Sequence, residues 1–372
     1  MRFCTFFSFL IVILLTGLPY AYGQNPAQSV NDLADPFDVM ENSGNPVDAL
    51  QDMTHTSVSQ AQAGGQGAQF FAPLGIVGAQ SISPGQWLTG FTYGHMSAEG
   101  IVDGTGSQSM NQVWKKYMMA PETMDVDSYM LCIMRGLTDN FSVMAMIPYY
   151  FKDMVMLSRK DKVFAAETNG LGDVQLAGLY NLYESAINKV VFYGGFSAPT
   201  GSIDERGDTP IKANAKLPYV LQLGSGTPDL HPGLTYMGKW GSVRWGGQAM
   251  GIVRIGYNWD DYRYSDVLEL NGWGGYELFD GVLLSLRLNY LSCGRIDGAD
   301  PSISPMMAPG TDPSTFGADR LFIFPGLTWN IDQGPLKGNK FLIEGGVPVY
   351  QYTAGPQGDI SFVVLAGWRW VF

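Results

Sequence analysis

Charge is scarce in this sequence. Of 372 residues only 15% are Asp, Glu, Lys or Arg, against about 25% in an ordinary soluble domain. Histidine and cysteine number 3 each, too few for a disulfide framework or for the usual zinc constellations. If Cys4 leaves with an export signal, Cys132 and Cys293 remain, and they pair only if the fold brings them together. A Gly-x-Ser-x-Gly elbow is missing. His55 falls in a polar stretch and His231 is flanked by Pro232. Asp229 and His231 lie close to Ser225, but their spacing supports no triad, so the reading is not an enzyme and implies no cofactor. Basic residues are also few: 22 Lys and Arg against 34 Asp and Glu leave a net charge of −12. That balance speaks against a nucleic-acid partner, which calls for a basic patch.

Long apolar runs are lacking as well, except at the start. Met1-Arg2, an apolar run over 6–18 and the small residues Ala21-Tyr22-Gly23 read as a secretory signal peptide at 1–23, cleaved near Gly23. The run is shorter than the roughly 20 residues that a membrane-spanning helix needs. Positions 24–69 carry Asp32, Asp35, Asp38, Glu41, Asp48 and Asp52 with no Lys or Arg. The segment 24–70 therefore reads as a flexible polar leader, with a short pore-plugging helix around 47–53 as the alternative.

What is abundant is apolar alternation. Apolar residues make up 46%, aromatics 13%, and there are 47 glycines. A strand sends successive side chains to opposite faces. Val282, Leu284, Leu286, Leu288 and Tyr290 share one face, with Ser285, Arg287 and Asn289 on the other. Val243, Trp245, Gly247, Ala249, Val253, Ile255 and Tyr257 oppose Arg244, Gln248, Met250 and Arg254. Glu269, Asn271 and Glu277 share a polar face, and Glu344 lies opposite Phe341, Ile343, Val347 and Val349. Short turns are read near 137–140, 184–188, 238–241, 278–281 and 332–339. Long loops are read over 97–125, 152–170, 201–218 and 296–318, and two tips near Asp260 and Pro356 stay short. Short turns on one rim and long loops on the other suit an all-β transmembrane antiparallel up-and-down β-barrel of about twelve strands over 71–372. A large secreted β-sandwich is the competing architecture. Pro228 and Pro232 fit a strand poorly, and a bulge or a late strand start is expected there.

The C-terminus is the sharpest signal. Phe362, Val364, Ala366, Trp368, Trp370 and Phe372 share a face, with Ser361 and Arg369 opposite. A chain ending this way resembles the terminal strand read by the outer-membrane barrel assembly machinery. That implies a Gram-negative outer-membrane location, with outer-membrane lipid and the assembly machinery as partners, the latter through the strand ending at Phe372.

Several short motifs carry a family resemblance. They are Leu137-Thr138-Asp139-Asn140-Phe141, Ile147-Pro148-Tyr149, Gly170-Leu171-Gly172-Asp173, Ala198-Pro199-Thr200-Gly201-Ser202, and Leu223-Gly224-Ser225-Gly226 followed by Asp229. In order and spacing they resemble the outer-membrane transporter-like family named for the meta-pathway of phenol degradation. Ala72-Pro73-Leu74-Gly75-Ile76, Met119-Ala120-Pro121, Ile203-Asp204-Glu205-Arg206 and 296–301 resemble a methionine-rich branch associated with heavy-metal gene clusters. Where that branch carries His-Met pairs, this sequence has Gln80-Ser81 and Asp127-Ser128-Tyr129. The resemblance implies an outer-membrane pore or transporter for small molecules, either hydrophobic or aromatic compounds or soft metal ions. A structural or adhesive surface barrel with a plugged lumen is the alternative.

Two sets of inward residues are candidates. Methionine is frequent at 18 residues. Met130, Cys132 and Met134 share a face of one strand, and Met144 and Met146 share the corresponding face of the next. Met110, Met118, Met119, Met124, Met154 and Met156 lie toward the loops. Thioethers and a thiol favour soft ions such as Cu(I), but methionine also fills irregular interiors or lines a path for apolar molecules. Asp173, Arg244, Arg254, Glu269, Glu277, Arg287, Glu344 and Arg369 are pore-lining candidates. They can act as a selectivity ladder or, the reading favoured here, pair across neighbouring strands and close the lumen.

Overall fold

A computed structural model describes residues 70–79, 81–160, 162–209 and 212–372. The signal expected at 1–23, the leader up to 69 and the helix considered around 47–53 lie outside the described residues. The strands are β1 (Trp87–Gly104), β2 (Met119–Thr138), β3 (Phe141–Ser158), β4 (Val163–Leu171), β5 (Val174–Glu184), β6 (Asn188–Ala198), β7 (Asp229–Trp240), β8 (Val243–Arg254), β9 (Val267–Phe279), β10 (Val282–Cys293), β11 (Ala318–Asn330) and β12 (Asn339–Val371). All pairings are antiparallel. The end of β12 pairs back onto β1, with Leu88 opposite Val371 and Ser97 opposite Phe362, so the sheet closes on itself. Closure leaves no row of unpaired backbone N–H and C=O groups facing hydrocarbon, where each would cost several kcal/mol.

Eleven of these elements form the ring, and β4 and the two-residue strand Gly106–Ser107 lie outside it. The 33 residues of β12 suffice for two passes. Its first half pairs with β11 up to Thr353, and its second half with β1 down to Val371. Gln351 clasps the returning half, accepting from Ile360 N (3.2 Å) and donating to Ile360 O (3.2 Å). Counting that double pass, the wall agrees with the reading of about twelve segments.

The long strands near the N-terminus depart from the expected loops. β1 runs on to Gly104 and β2 begins at Met119, so the loop read over 97–125 shrinks to 105–118. The stretch 152–170 is mostly a hairpin of β3 and β4. The reason is visible in the residues: Lys152, Met154, Met156, Phe164, Ala166 and Thr168 are buried while Asp153, Val163, Ala165 and Glu167 are exposed, which is strand alternation with charged outer positions.

β4 and β5 both pair with β3. Tyr149 faces Leu171, and Met146 faces Gln175, so one extra residue sits at Gly172-Asp173. A one-residue offset exchanges the two faces of a strand. Even-numbered residues of β4 point inward, as do odd-numbered Gln175, Ala177 and Leu179 of β5. Pro228 precedes β7, which gives the late strand start. Pro232 sits inside β7 without a bulge. It faces Gly194 of β6, and the ladder to β8 skips His231 and Pro232 while keeping its register.

The outward faces are apolar and exposed across the wall: Leu131, Ile147, Phe192, Leu234, Val253, Leu270, Leu286, Leu327, Ile343 and Phe362 are among them. Soluble proteins do not leave such a belt uncovered. A charged side chain at mid-height would cost about 2–4 kcal/mol against lipid, and the charges of these strands are accordingly turned inward or moved to the rims. Cys132 and Cys293 are both buried and unpaired by any disulfide.

Candidate functional site

Residues 70–79 and 81–83, which precede β1, pack inside the ring as a plug. Its residues are apolar and buried, Phe71, Ala72, Leu74, Ile76, Val77 and Ile82 all nearly fully. The wall holds this plug by its backbone. Trp273 Nε1 donates to Phe71 O (3.1 Å), and Gln248 Nε2 to Val77 O (2.5 Å). Gly75 N donates to Glu344 Oε2 (2.6 Å). Ile82 N donates to Ser142 Oγ (3.0 Å), and Asn181 Nδ2 to Ser81 Oγ (2.6 Å). These partners come from β3, β5, β8, β9 and β12, so the plug is gripped from all round the ring. Two glycines permit the fit: a Cβ at Gly75 would collide with the Arg287 guanidinium, and Gly78 has φ +60 against the Tyr193 ring.

The charges read as pore-lining are all on inward positions. Arg287 Nε meets Glu344 Oε1 at 3.0 Å, and Arg287 Nη1 donates to Asn271 Oδ1 (3.0 Å). Asn271 and Asn289 both donate to Glu269 Oε1, at 2.8 and 2.6 Å. Arg287 also stacks 4.0 Å from the Phe324 ring centroid. Arg244 pairs with Glu277 at 2.6 Å near the Gly241 turn. Arg254 pairs with Asp229 at 2.5 Å. Asp173 accepts from Gly201 N and from Ser225 N (both 2.8 Å), fastening the loop 199–228 to the wall. Arg369 is buried on the last strand. His231 Nε2 contacts Ser197 Oγ at 3.0 Å, and Asp229 accepts from Ser197 (3.4 Å) as well as from Ser225, Thr227 and Arg254. The imidazole and the carboxylate thus meet through the Ser197 hydroxyl rather than directly.

The sulfur patch forms as the alternation implies. Cys132 faces Met146, Met134 faces Met144, and Met130 faces Pro148. All five sulfur residues are buried in one apolar cluster with Ile76, Val77, Ala79 and Ile82 of the plug and with Tyr193 and Met237. The patch is the bed on which the plug lies.

At the other end the long loops fold inward over the mouth. Lys152 Nζ donates to Val220 O (3.2 Å) and Gln222 O (2.5 Å), and Thr168 Oγ1 to Leu221 O (2.8 Å). Lys216 binds Asp260 (2.7 Å) and Asp300 (2.5 Å). Lys116 and the Tyr117 hydroxyl both reach Asp312 Oδ2, at 2.9 and 2.8 Å. Burial alone would raise the Asp312 carboxyl, but the hydrogen bonds from Lys116, Ser314 and Tyr117 outweigh it and hold the group below its ordinary range. Asp300 is likewise held down, burial being outweighed by Lys216 and Ser302. Between the loops and β1, β2, β3 and β12 lies a cleft of about 620 Å³, open mouth included. Met96, Met124, Met154, Val220, Phe316 and Ile360 give it an apolar lining.

A closed antiparallel wall, an apolar exterior and an interior of paired charges define an outer-membrane-type β-barrel. The comparison with solved structures agrees with that class. The crystal structure of an outer membrane channel from Pseudomonas putida F1 matches with a TM-score of 0.58 and 15% identity, over 79% of this chain and 98% of that one. At this identity the match establishes the fold alone. The β domain of the Bordetella autotransporter BrkA (TM-score 0.43, 12% identity, 77% of this chain and 99% of that one) and a Pseudomonas aeruginosa FadL homologue (0.38, 10%, 77% and 89%) are looser and carry no argument. No protein-family model matches the chain, and no curated protein does.

Sequence reasoning missed the plug, although 70–79 is an uncharged apolar stretch between an acidic leader and the first strand. It also missed the cleft, whose lining is gathered from strands and loops far apart in sequence, and Arg320, an inward arginine between the buried Ala318 and Phe322 of β11.

Proposed function

We propose that this chain is an outer-membrane channel for small, largely apolar molecules, closed at rest by its own segment 70–83. The observation that carries the reading is the apolar cleft at the loop end, standing above a methionine-lined interior. Thioether side chains are flexible and polarizable, and they accommodate aromatic and alkyl bodies of varied shape. The paired charges of the wall speak against a ladder for inorganic ions, because opposite signs in contact satisfy one another. The match with a Pseudomonas putida outer membrane channel supports a wall of the right architecture. Membership of the meta-pathway family and of its methionine-rich branch is part of the same proposal, resting on the motifs quoted above. So are export by a cleaved signal, insertion through the strand ending at Phe372, and the lack of any catalytic role.

The test is uptake of the apolar dye N-phenyl-1-naphthylamine by Gram-negative cells with an intact outer leaflet. Cells displaying the protein are expected to fluoresce faster than cells displaying Met124→Trp, which fills the cleft, at equal barrel levels. Equal rates in both, matching cells without the barrel, would leave the adhesive surface barrel as the better reading.

A further inference from the structure

The inward arginines do not all have the same kind of partner. Arg244, Arg254 and Arg287 each hold a carboxylate. Arg320, wholly buried near the loop end of β11, holds two neutral amides instead. Its Nε donates to Gln351 Oε1 (3.3 Å) and its Nη2 to Gln357 Oε1 (3.2 Å), while Nη1 has no hydrogen-bond partner among the described residues. Asp319 and Asp359 lie close enough to act on it through space, but neither pairs with it directly among the described residues, and a buried guanidinium without a direct carboxylate partner is expensive. Removing one member of a buried ion pair typically costs about 3–5 kcal/mol for that reason. An unsatisfied N–H on such a group adds a further desolvation penalty. An anion that arrives from outside would relieve both.

The position of Arg320 says what else that anion carries. Gln357, which accepts from Arg320, is itself part of the cleft wall, and it donates onward to Thr315 O (2.6 Å) and Gly317 O (2.9 Å). The guanidinium thus lies one side chain beyond an apolar cleft of about 620 Å³. The wall's own carboxylate, Glu122, belongs to β2, whereas Gln357 belongs to the returning half of β12. We propose that the cleft and Arg320 together form a binding site for an amphiphilic monoanion: an apolar or aromatic body seated among Met96, Met124, Met154 and Phe316, and a carboxylate paired with Arg320 once Gln357 turns aside. Arginine suits this task, since its planar fork matches a carboxylate in two parallel bonds. The inference rests on the channel reading above and narrows its substrate class.

Titration calorimetry on the full chain in zwitterionic-lipid nanodiscs tests it, with 4-phenylbutyrate and its neutral amide as probes. The carboxylate is expected to bind about tenfold tighter or more, the size of one charge-assisted hydrogen bond. Arg320→Gln is expected to abolish that preference while leaving amide binding in place. Met124→Trp is expected to weaken both probes, and Glu122→Gln to favour the carboxylate further. Equal binding of the two probes by the wild-type protein overturns the proposal, even if Arg320→Gln fails to fold. A preference that survives in Arg320→Gln overturns it as well. Binding with the expected preference but without dye uptake would sink the channel reading and leave the site standing. Uptake without the preference would do the reverse.

Discussion

Single residues decide whether the interior stays closed. Glu344 accepts from both Arg287 and Gly75 N, so it ties the wall to the plug. Glu344→Ala leaves Arg287 buried without its carboxylate and is expected to destabilise the barrel by about 3–5 kcal/mol, read as a lower urea midpoint for loss of the fast-migrating folded band. Replacing the pair together by methionines is expected to restore most of that loss, since a well-packed apolar pair often matches a buried ion pair. No recovery in the double variant would mean that the pair does more than satisfy itself. For the sulfur patch, replacing Met130, Met134, Met144 and Met146 by leucine is expected to cost under about 1.5 kcal/mol per site. Silver(I) binding that is strong in the wild-type protein and lost in this variant would instead establish the soft-metal reading.

At the scale of elements, the alternation of β8, β9, β10 and the last half of β12 was legible, because each has one apolar and one polar face. The inward placement of Arg287, Glu344, Glu269 and Arg254 follows from parity alone. What parity does not carry is connection across the lumen. Nothing in the spacing of Gly75 and Glu344 announces a hydrogen bond between residues 269 apart. The upper end of β3 and the whole of β4 fall largely in the stretch read as a loop over 152–170; Asp153 and Glu167 face outward there, and outward charges suit a wall that has risen clear of lipid. Arg320 is an inward arginine like Arg287, and only the packed structure shows that one has a carboxylate and the other does not. The loops make an expectation of their own. The Asp300 and Asp312 carboxyls are held below their ordinary range. Their contribution is therefore complete above the unfolded carboxylate pKa of about 3.9 and is lost as pH falls through the lower folded value. A spin label at the exposed position 306 is expected to stay ordered between about pH 5 and 8 and to loosen only under stronger acid. Loosening already near neutrality would show that these clamps do not hold the loops.

At the scale of the whole molecule, a ring of strands solves the backbone problem in lipid, and its width then creates a second problem, a lumen that must be filled or left open. This chain packs residues 70–79 and 81–83 into it from one side and loops from the other, with a cleft between loops and wall. The most direct measurement is single-channel conductance in a planar bilayer, comparing the wild-type protein with a variant that lacks residues 70–83. The wild-type barrel is expected to conduct little, with brief openings at most, and the shortened one to show a steady conductance. A wild-type barrel that conducts as freely as the shortened one would contradict a lumen closed by its own chain.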